Sequence, residues 1–202
     1  MGITPQQFKQ MQDRMGGARR SAAPVFAPIE RAASMSPAII LGVDPSLRGT
    51  GFGVIQSGKP HPRCLAHGTI SCPANWERSR CLVKIVQTLR EALATHRPDL
   101  CVIEGLFYAQ NFQTALIMGE ARGAALGVIA EAGLPIYEIS PRKVKQAIVG
   151  YGAAQKVAVA KMVQRVLRLA ELPSADAADA LALALTHAQE TSRYNLNPRK
   201  KI

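Results

Sequence analysis

The chain has 202 residues, which is enough for one sizeable globular core and a short additional segment. Its hydrophobic fraction of 48% is ordinary for a folded protein, and no apolar run reaches the roughly 18 residues needed to cross a membrane. A formal net charge of +11, from 25 Lys and Arg against 14 Asp and Glu, favours a polyanionic partner such as nucleic acid, although a generally basic surface would carry the same charge.

The two ends of the chain differ in composition from its middle. Residues 1–36 are rich in Met, Gln, Arg, Ala and Pro without sustained periodicity, and we predict a flexible basic N-terminal extension there. Because they contain no continuous apolar segment, no secretory signal is expected, and Asp13 and Glu30 argue against an organelle transit peptide. Residues 193–202 are predicted to form a loose basic C-terminal tail. The 4 cysteines lack zinc-binding spacing and are expected to be reduced thiols.

Residues 37–192 are predicted to form one domain in which strands and helices alternate. Short apolar runs predict the strands, and apolar stripes at helical spacing predict the helices. In chain order, the strands are 38–43, 50–56, 64–71, 99–104 and 135–140. The helices are 76–96, 112–132, 141–149, 153–169 and 174–191. This order predicts an α/β fold with a five-stranded mixed sheet flanked by helices, in which the first three strands form an antiparallel meander.

Three glycines recur every four residues on the predicted helix 112–132, at Gly119, Gly123 and Gly127. Each costs about 1 kcal/mol relative to alanine inside a helix, so their alignment on one face indicates a groove that another backbone approaches closely. The residues alone leave two occupants open, which are the protein's own sheet and another subunit.

Four acidic residues stand out because the chain has few acids. Asp44 and Glu104 each follow an apolar strand directly. Ligands in open mixed sheets gather at strand ends, so acids at two adjacent strand ends are expected to face the same crevice. Asp176 and Asp179 lie three residues apart on a helix of Ala and Leu, which places their side chains on one face.

The last helix requires a partner for its carboxylates. Complementing the helix dipole, with Ser174 as the cap, explains one aspartate but not both. No Lys or Arg lies between Arg168 and Arg193, so the helix offers no local counter-charge. A divalent cation is one solution, and hard oxygen ligands suit Mg²⁺ or Mn²⁺. Two metals held by carboxylates suit phosphodiester hydrolysis, so a basic chain with an acidic pocket predicts a metal-dependent phosphodiesterase on nucleic acid.

Four ordered motifs of the chain resemble those of the RuvC family of bacterial Holliday-junction resolvases. The motifs are Ile40–Ser46 followed by Gly51–Ile55, then Ile103–Asn111, Val144–Gly150 and Ala175–Ala182. The resemblance implies an RNase H-like fold and a homodimer that cuts four-way DNA junctions by paired symmetric nicks in recombination and repair. It also implies Mg²⁺ with Mn²⁺ as a substitute, two ions per active site, a bacterial cytoplasmic location, and a branch-migration motor as partner.

The resemblance maps the family's catalytic, metal-binding acids onto Asp44, Glu104, Asp176 and Asp179. The first member of the final pair varies in chemistry among relatives, so Asp176 is the weakest of the four assignments and is expected to tune the site more than bind metal directly. The chain departs from the family pattern at Gln110, where many relatives carry Lys. Its N-terminal extension also departs from that pattern, and it either adds nonspecific DNA affinity or reflects an upstream start codon.

The resemblance further maps basic residues near the DNA onto Lys145 and Lys156. An aromatic wedge that enters the junction maps onto Phe107, where a base stacked on the ring would contribute about 1–3 kcal/mol. We add Arg48 and Arg122 as candidates for contact with the DNA backbone. A solvated helix face would equally explain the two lysines, and packing on the protein's own core would equally explain Phe107.

Two other classes of protein remain compatible with the residues. One is a structure-selective DNA-binding module, against which the complete set of four acids argues. The other is an ATPase of related architecture, such as a sugar kinase, whose first phosphate motif resembles Gly42-Val43-Asp44 and the Gly-rich hairpin after it. Such ATPases normally need two copies of this domain, whereas the chain is long enough for one.

Overall fold

A computed structural model of the chain describes residues 37–105, 112–192 and 201–202. The predicted N-terminal extension, the loop that holds Phe107, and residues 193–200 of the tail lie outside these ranges. The strands are β1 (Ile39–Asp44), β2 (Gly49–Gln56), β3 (Arg63–Ser71), β4 (Leu100–Glu104) and β5 (Ile136–Ile139). The helices are α1 (Arg78–His96), α2 (Phe112–Glu131), α3 (Pro141–Val149), α4 (Lys156–Leu167) and α5 (Ala175–Ser192).

The five strands form one sheet in the order β3-β2-β1-β4-β5. The first three strands pair antiparallel, whereas β4 lies parallel to β1 and β5 lies parallel to β4. The predicted meander and mixed sheet are therefore confirmed. In this arrangement the carboxyl ends of β1, β3, β4 and β5 meet the amino end of β2 at one edge of the sheet. We call this the carboxyl edge.

Each face of the sheet is covered by a different set of helices. On β1, Leu41 and Val43 belong to a core shared with α1 and α2, whereas Ile40 belongs to a second core shared with α3, α4 and α5. Successive side chains of a strand point to opposite faces, so the apolar run of β1 supplies both cores at once. The continuous apolar character of this strand follows from that double burial.

Glycines in β1 and β2 let α5 lie directly on the sheet. A Cβ atom on Gly42 would stand 2.0 Å from the backbone oxygen of Ala180, and one on Gly51 would stand 2.0 Å from that of Asp176. Residues Ala177, Ala178, Ala180, Ala182 and Ala184 are all fully buried. Small residues on both partners therefore set the short distance between helix and sheet, and this distance brings the aspartates of α5 to the carboxyl edge.

The glycines of α2 have a different environment. A Cβ atom on Gly119, Gly123 or Gly127 would meet nothing within 4 Å among the described residues. The alternative in which this face receives the protein's own sheet is therefore wrong for the part of the chain that the structure describes.

Three smaller features differ from the sequence-based expectations or complete them. Helix α4 begins at Lys156 rather than at Ala153, and it ends where Arg168 takes a left-handed conformation with φ of 53°. At the end of the chain, Lys201 forms an antiparallel bridge with Tyr137 of β5, so the last two residues are attached to the sheet edge rather than loose. No helix in the described ranges is long and apolar enough to cross a membrane.

Candidate active site

A pocket of about 220 Å³ lies at the carboxyl edge, between the sheet and helices α3, α4 and α5. Three of the four predicted acids line it, because Asp44 ends β1, Glu104 ends the neighbouring β4, and Asp179 lies in the second turn of α5. The pocket also contains both of the predicted lysines. Its remaining walls are Pro141, Val144 and Val159, which are apolar.

Asp44 and Glu104 form a hydrogen-bonded carboxyl pair. Burial is the largest cause that raises the pKa of Glu104, to about 8, and the negative charge of Asp44 and a hydrogen bond to it add to the effect. Burial also raises the pKa of Asp44, while its hydrogen bond with Glu104 opposes this. Glu104 is therefore the member of the pair that keeps a proton near neutral pH and donates it to Asp44.

Asp179 has a positively charged partner from another helix. The Nζ atom of Lys156, at the first position of α4, lies 3.1 Å from Oδ2 of Asp179. Partial burial lowers the pKa of Lys156, but the charges of Asp179, Asp44 and Asp176 outweigh this effect, so its pKa is raised overall. The helix that carries Asp179 indeed has no basic residue of its own nearby, and the tertiary structure supplies one from α4.

Asp176 lies beside the pocket rather than in its lining. Its Oδ2 atom faces Gly49, where an added Cβ would stand 2.8 Å away, and this places the side chain next to the start of β2. The charge of Asp176 is the smallest of the identified causes that raise the pKa of Asp44. Its influence on the other acids is therefore electrostatic and weaker than that of Asp179.

The donor chemistry of the pocket fits a hard divalent cation. Three carboxylates supply only oxygen ligands, and burial, with the neighbouring carboxylates adding to it, raises the pKa values of Asp44 and Glu104, so a bound cation would stabilise their ionised forms. Among the described residues, no three His, Cys, Asp or Glu side chains are grouped closely enough to hold a metal as they stand. Asp44 and Glu104 instead share a hydrogen bond, and a metal that binds them would displace its proton.

Arg122 does not have the role that the sequence suggested. Its side chain is only 8% exposed, its guanidinium donates to the backbone oxygen of Glu104, and it forms an ion pair with Glu138 of β5. A cation buried and paired in this way is not available to a DNA phosphate, so the predicted DNA contact is corrected to a supporting role behind Glu104. Sequence reasoning missed Glu138, and the only signal for it was an acid inside a short apolar strand.

Arg48 is also used inside the protein. Its guanidinium donates to the backbone oxygens of Pro73 and Trp76, with 2.9 Å between Nη2 and the Trp76 oxygen, and Nη1 lies 3.4 Å from the sulfur of Cys81. Arg48 therefore holds the turn between β3 and α1 in place, and because its side chain is exposed, its contact with the DNA backbone stays a prediction. Phe107 lies outside the described residues.

A carboxylate pocket at the edge of a five-stranded mixed sheet with flanking helices is the arrangement of an RNase H-like nuclease. Residues 40–187 match the family described as "Crossover junction endodeoxyribonuclease RuvC". A protein of that name from Akkermansia muciniphila is 46% identical over 148 residues, which cover 73% of this chain and 89% of the relative. One from Coxiella burnetii is 47% identical over 150 residues, covering 74% and 87%. The chain belongs to the RuvC family of crossover junction endodeoxyribonucleases.

Solved structures agree with this assignment. The structure described as "T. thermophilus RuvC in complex with Holliday junction substrate" superposes with a TM-score of 0.73 at 33% identity, covering 82% of this chain and 99% of that one. The yeast mitochondrial Holliday junction resolvase Ydc2 has a TM-score of 0.56 at 11% identity, covering 79% of this chain and 82% of that one, which shows a shared fold. Family membership thus places the chain among nucleases rather than among the ATPases of related architecture.

Proposed function

We propose that this protein resolves four-way DNA junctions by paired symmetric nicks in recombination and repair, with Asp44, Glu104 and Asp179 as its principal catalytic acids. One observation carries the proposal: these three acids and two lysines, from five separate elements of the fold, line a single pocket. The net charge of +11 supports a nucleic-acid substrate, because cations elsewhere on the surface offset the repulsion between DNA and an acidic pocket.

The three pocket acids would hold divalent metal, with Mg²⁺ as the natural ion, Mn²⁺ as a substitute, and two ions per site. When bound, such ions lower the pKa of an attacking water and stabilise the leaving oxygen of an in-line displacement. The raised pKa values of Asp44 and Glu104 support this role, since a cation favours the ionised forms that burial disfavours. Asp176 modulates the charge of the site from its position beside Gly49.

Lys145 and Lys156 are the residues best placed to contact the scissile phosphate. Lys156 ion-pairs with Asp179, yet its side chain is 62% exposed and can also reach a phosphate at the pocket mouth. Lys145, on α3, lines the same pocket. Fixed cations aimed at a site of developing negative charge stabilise a transition state without reorganisation, and each such group typically contributes about 10²–10³-fold in rate.

Two expectations about assembly follow from the resemblance and belong to the same proposal. A homodimer would present two identical pockets to two symmetric strands, and the open glycine face of α2 supports its use as the subunit contact. A branch-migration motor would act as the partner complex. Phe107 is proposed as the wedge that enters the junction.

The proposal is tested by comparing the wild-type protein with Asp44→Asn on a synthetic four-way junction. We expect the variant to lose cleavage with Mg²⁺ by about 10³-fold or more, which corresponds to about 4 kcal/mol of transition-state stabilisation. Junction affinity in the presence of a chelator should stay close to that of the wild type. Glu91→Gln, which removes an exposed acid on α1, serves as the matched control and should cleave normally.

Two outcomes would contradict the proposal in different ways. Full cleavage by Asp44→Asn would show that Asp44 is not a catalytic acid and that the pocket is not the active site. A wild-type protein that binds the junction and cuts nothing with either Mg²⁺ or Mn²⁺ would favour the DNA-binding module instead.

A further inference from the structure

The start of helix α1 carries a cluster of an aromatic ring and two cations. The guanidinium carbon of Arg80 lies 3.9 Å from the centroid of the Trp76 ring, and Nζ of Lys84 lies 5.3 Å from it. The two cations are four residues apart and therefore share one face of the helix. Arg80 is exposed and Lys84 is half-buried, so both charges remain accessible from solvent. We name these three residues the Trp76 platform.

The Trp76 platform is fixed to the same edge of the sheet as the catalytic pocket. Arg48, in the turn that follows Asp44, donates to the backbone oxygen of Trp76 at 2.9 Å. Lys84 donates to the backbone oxygen of Ser71, the last residue of β3, at 3.0 Å. The platform is thus tied both to the loop after the first catalytic strand and to the end of the outermost strand.

The charges of the Trp76 platform lack the balance that other cations of the same helix have. Arg78 pairs with Glu120, and Arg90 pairs with Glu131. Within residues 37–105 and 112–192, no acidic side chain lies within ion-pair distance of Arg80 or Lys84. Like charges four residues apart on a helix repel, and cations in a first turn oppose the helix dipole. A bound anion would relieve both costs.

The position of the platform indicates which anion it meets. Strand β3 lies two strands from β1, which is about 10 Å along the sheet, and helix α1 lies on the opposite face of the sheet from the pocket, so the platform is on the order of 15 Å from the pocket acids. Backbone phosphates of one DNA strand are spaced by about 3.4 Å along the helix axis. A duplex whose scissile phosphate enters the pocket would therefore bring phosphates roughly four to six nucleotides away onto the platform.

We infer that the Trp76 platform binds the phosphate backbone of one duplex arm of the junction beside the cleavage site; this rests on the proposed function. Trp76 acts as a support rather than as a stacking surface for a base, because the guanidinium of Arg80 covers a face of the ring. The cation–π contact orients Arg80, whose N–H groups stay available to a phosphate. The platform determines which duplex arm of the junction enters the pocket. Its contacts are with phosphates, so they do not distinguish one base sequence from another.

The test compares Arg80→Gln and Lys84→Gln with Arg90→Gln, an exposed arginine of the same helix that lies ten positions further along it. Junction affinity is measured with a chelator present over a range of KCl concentrations. Each platform variant should reduce the slope of log affinity against log salt by about 1. Arg90→Gln should keep the wild-type slope. Arg80→Lys should retain most of the wild-type slope, because the positive charge remains.

A second measurement locates the contact on the DNA. Neutral methylphosphonate linkages are placed one at a time along a junction arm, and binding of each substrate is compared between the wild type and Arg80→Gln. Neutral linkages about four to six nucleotides from the scissile phosphate should weaken wild-type binding and leave Arg80→Gln unaffected.

Several results would overturn the inference. A folded Arg80→Gln protein with the wild-type salt slope would remove the platform from the DNA interface and would favour an acidic protein as its partner. The same slope change in Arg90→Gln would show only a general effect of net charge. If thermal denaturation shows that Arg80→Gln is unstable, the salt slopes of Lys84→Gln and Arg80→Lys test the inference instead. Failure of the proposed function is recognised separately, as a wild-type protein that binds junctions and does not cut them.

Discussion

The two faces of the sheet use glycine in opposite ways. On one face, Gly42 and Gly51 are covered so closely by α5 that an added Cβ would stand 2.0 Å from a backbone oxygen. On the other side of the molecule, Gly119, Gly123 and Gly127 of α2 meet nothing within 4 Å in the described part of the chain. Glycine therefore permits a close contact between α5 and the sheet in one region, and leaves an open helix surface on α2 in the other.

The difference separates the face that carries the pocket, which we call the catalytic face, from the glycine face of α2 where we propose the subunit contact, which we call the assembly face. Close packing of α5 on the strands brings Asp179 into one pocket with Asp44 and Glu104, so the site depends on the short distance between this helix and the sheet. The buried cation Arg122 connects helix α2 to that pocket, because it donates to the backbone oxygen of Glu104. We expect the largest effect from a substitution of Arg122, which connects the two faces, and smaller effects from substitutions on each face.

The largest effect on stability is expected from Arg122→Met, which removes the contacts of α2 with Glu138 and with the backbone of Glu104. Removing the arginine leaves Glu138 half-buried without this partner and removes a donor to the backbone oxygen of Glu104. Loss of one member of a buried ion pair costs about 3–5 kcal/mol in the free energy of unfolding. Arg78→Met, which breaks the exposed pair with Glu120, is the control and should cost less than about 1 kcal/mol. Urea denaturation of both variants provides the measurement, and equal costs would show that Arg122 is not a structural link.

Gly42→Ala is expected to disturb the catalytic face. The new methyl group would collide with the backbone oxygen of Ala180, and a backbone atom cannot rotate aside as a side chain can. Overpacking of this kind costs about 3 kcal/mol and displaces α5. Thermal denaturation should show a lower melting temperature, and junction cleavage should fall even below that temperature because Asp179 moves with the helix. A variant with normal stability and normal cleavage would contradict the close packing of helix and sheet.

Glu104→Gln should stabilise the metal-free protein at alkaline pH. Glu104 has a pKa of about 8 in the fold against an ordinary value of 4.5, so the folded state keeps a proton that the unfolded chain releases. The stability of the wild type therefore falls as pH rises from about 4.5 to 8, and a neutral glutamine removes that fall.

We expect Glu104→Gln to exceed the wild type by roughly 1–2 kcal/mol at pH 9 with a chelator present, and to show no such advantage at pH 4. Added Mg²⁺ should raise the melting temperature of the wild type at pH 9 more than that of the variant. Thermal denaturation at pH 4, 7 and 9 measures both effects. A variant that is less stable than the wild type at pH 9 would show that burial does not raise the pKa of Glu104 in the folded protein.

The smallest effect is expected from Gly123→Ala on the assembly face. The structure places no obstacle near its Cβ, and alanine gains about 1 kcal/mol over glycine in a helix interior, so the fold itself should be slightly stabilised. If the face is the subunit contact, the same methyl group should weaken the dimer. Sedimentation measures the second effect and chemical denaturation the first. Unchanged association would place the subunit contact elsewhere.

The sequence alone was sufficient for the order of the elements, the mixed sheet and the set of candidate acids. Apolar periodicity is a local property, and the strand ends that carry Asp44 and Glu104 can be located from the apolar runs before them. The spacing of Asp176 and Asp179 likewise fixes their common helix face without any tertiary information.

Only the tertiary structure decided the partners of the charged residues. Local sequence cannot show that Lys156 of α4 neutralises Asp179 of α5, or that Arg122 is buried against Glu138, because each pair joins separate elements. The hydrogen bonds of Arg48 were equally invisible in the sequence, since its acceptors Pro73 and Trp76 lie across a hairpin. A positive charge in a sequence predicts attraction to anions, but the distances reached on folding determine whether those anions belong to DNA or to the protein itself.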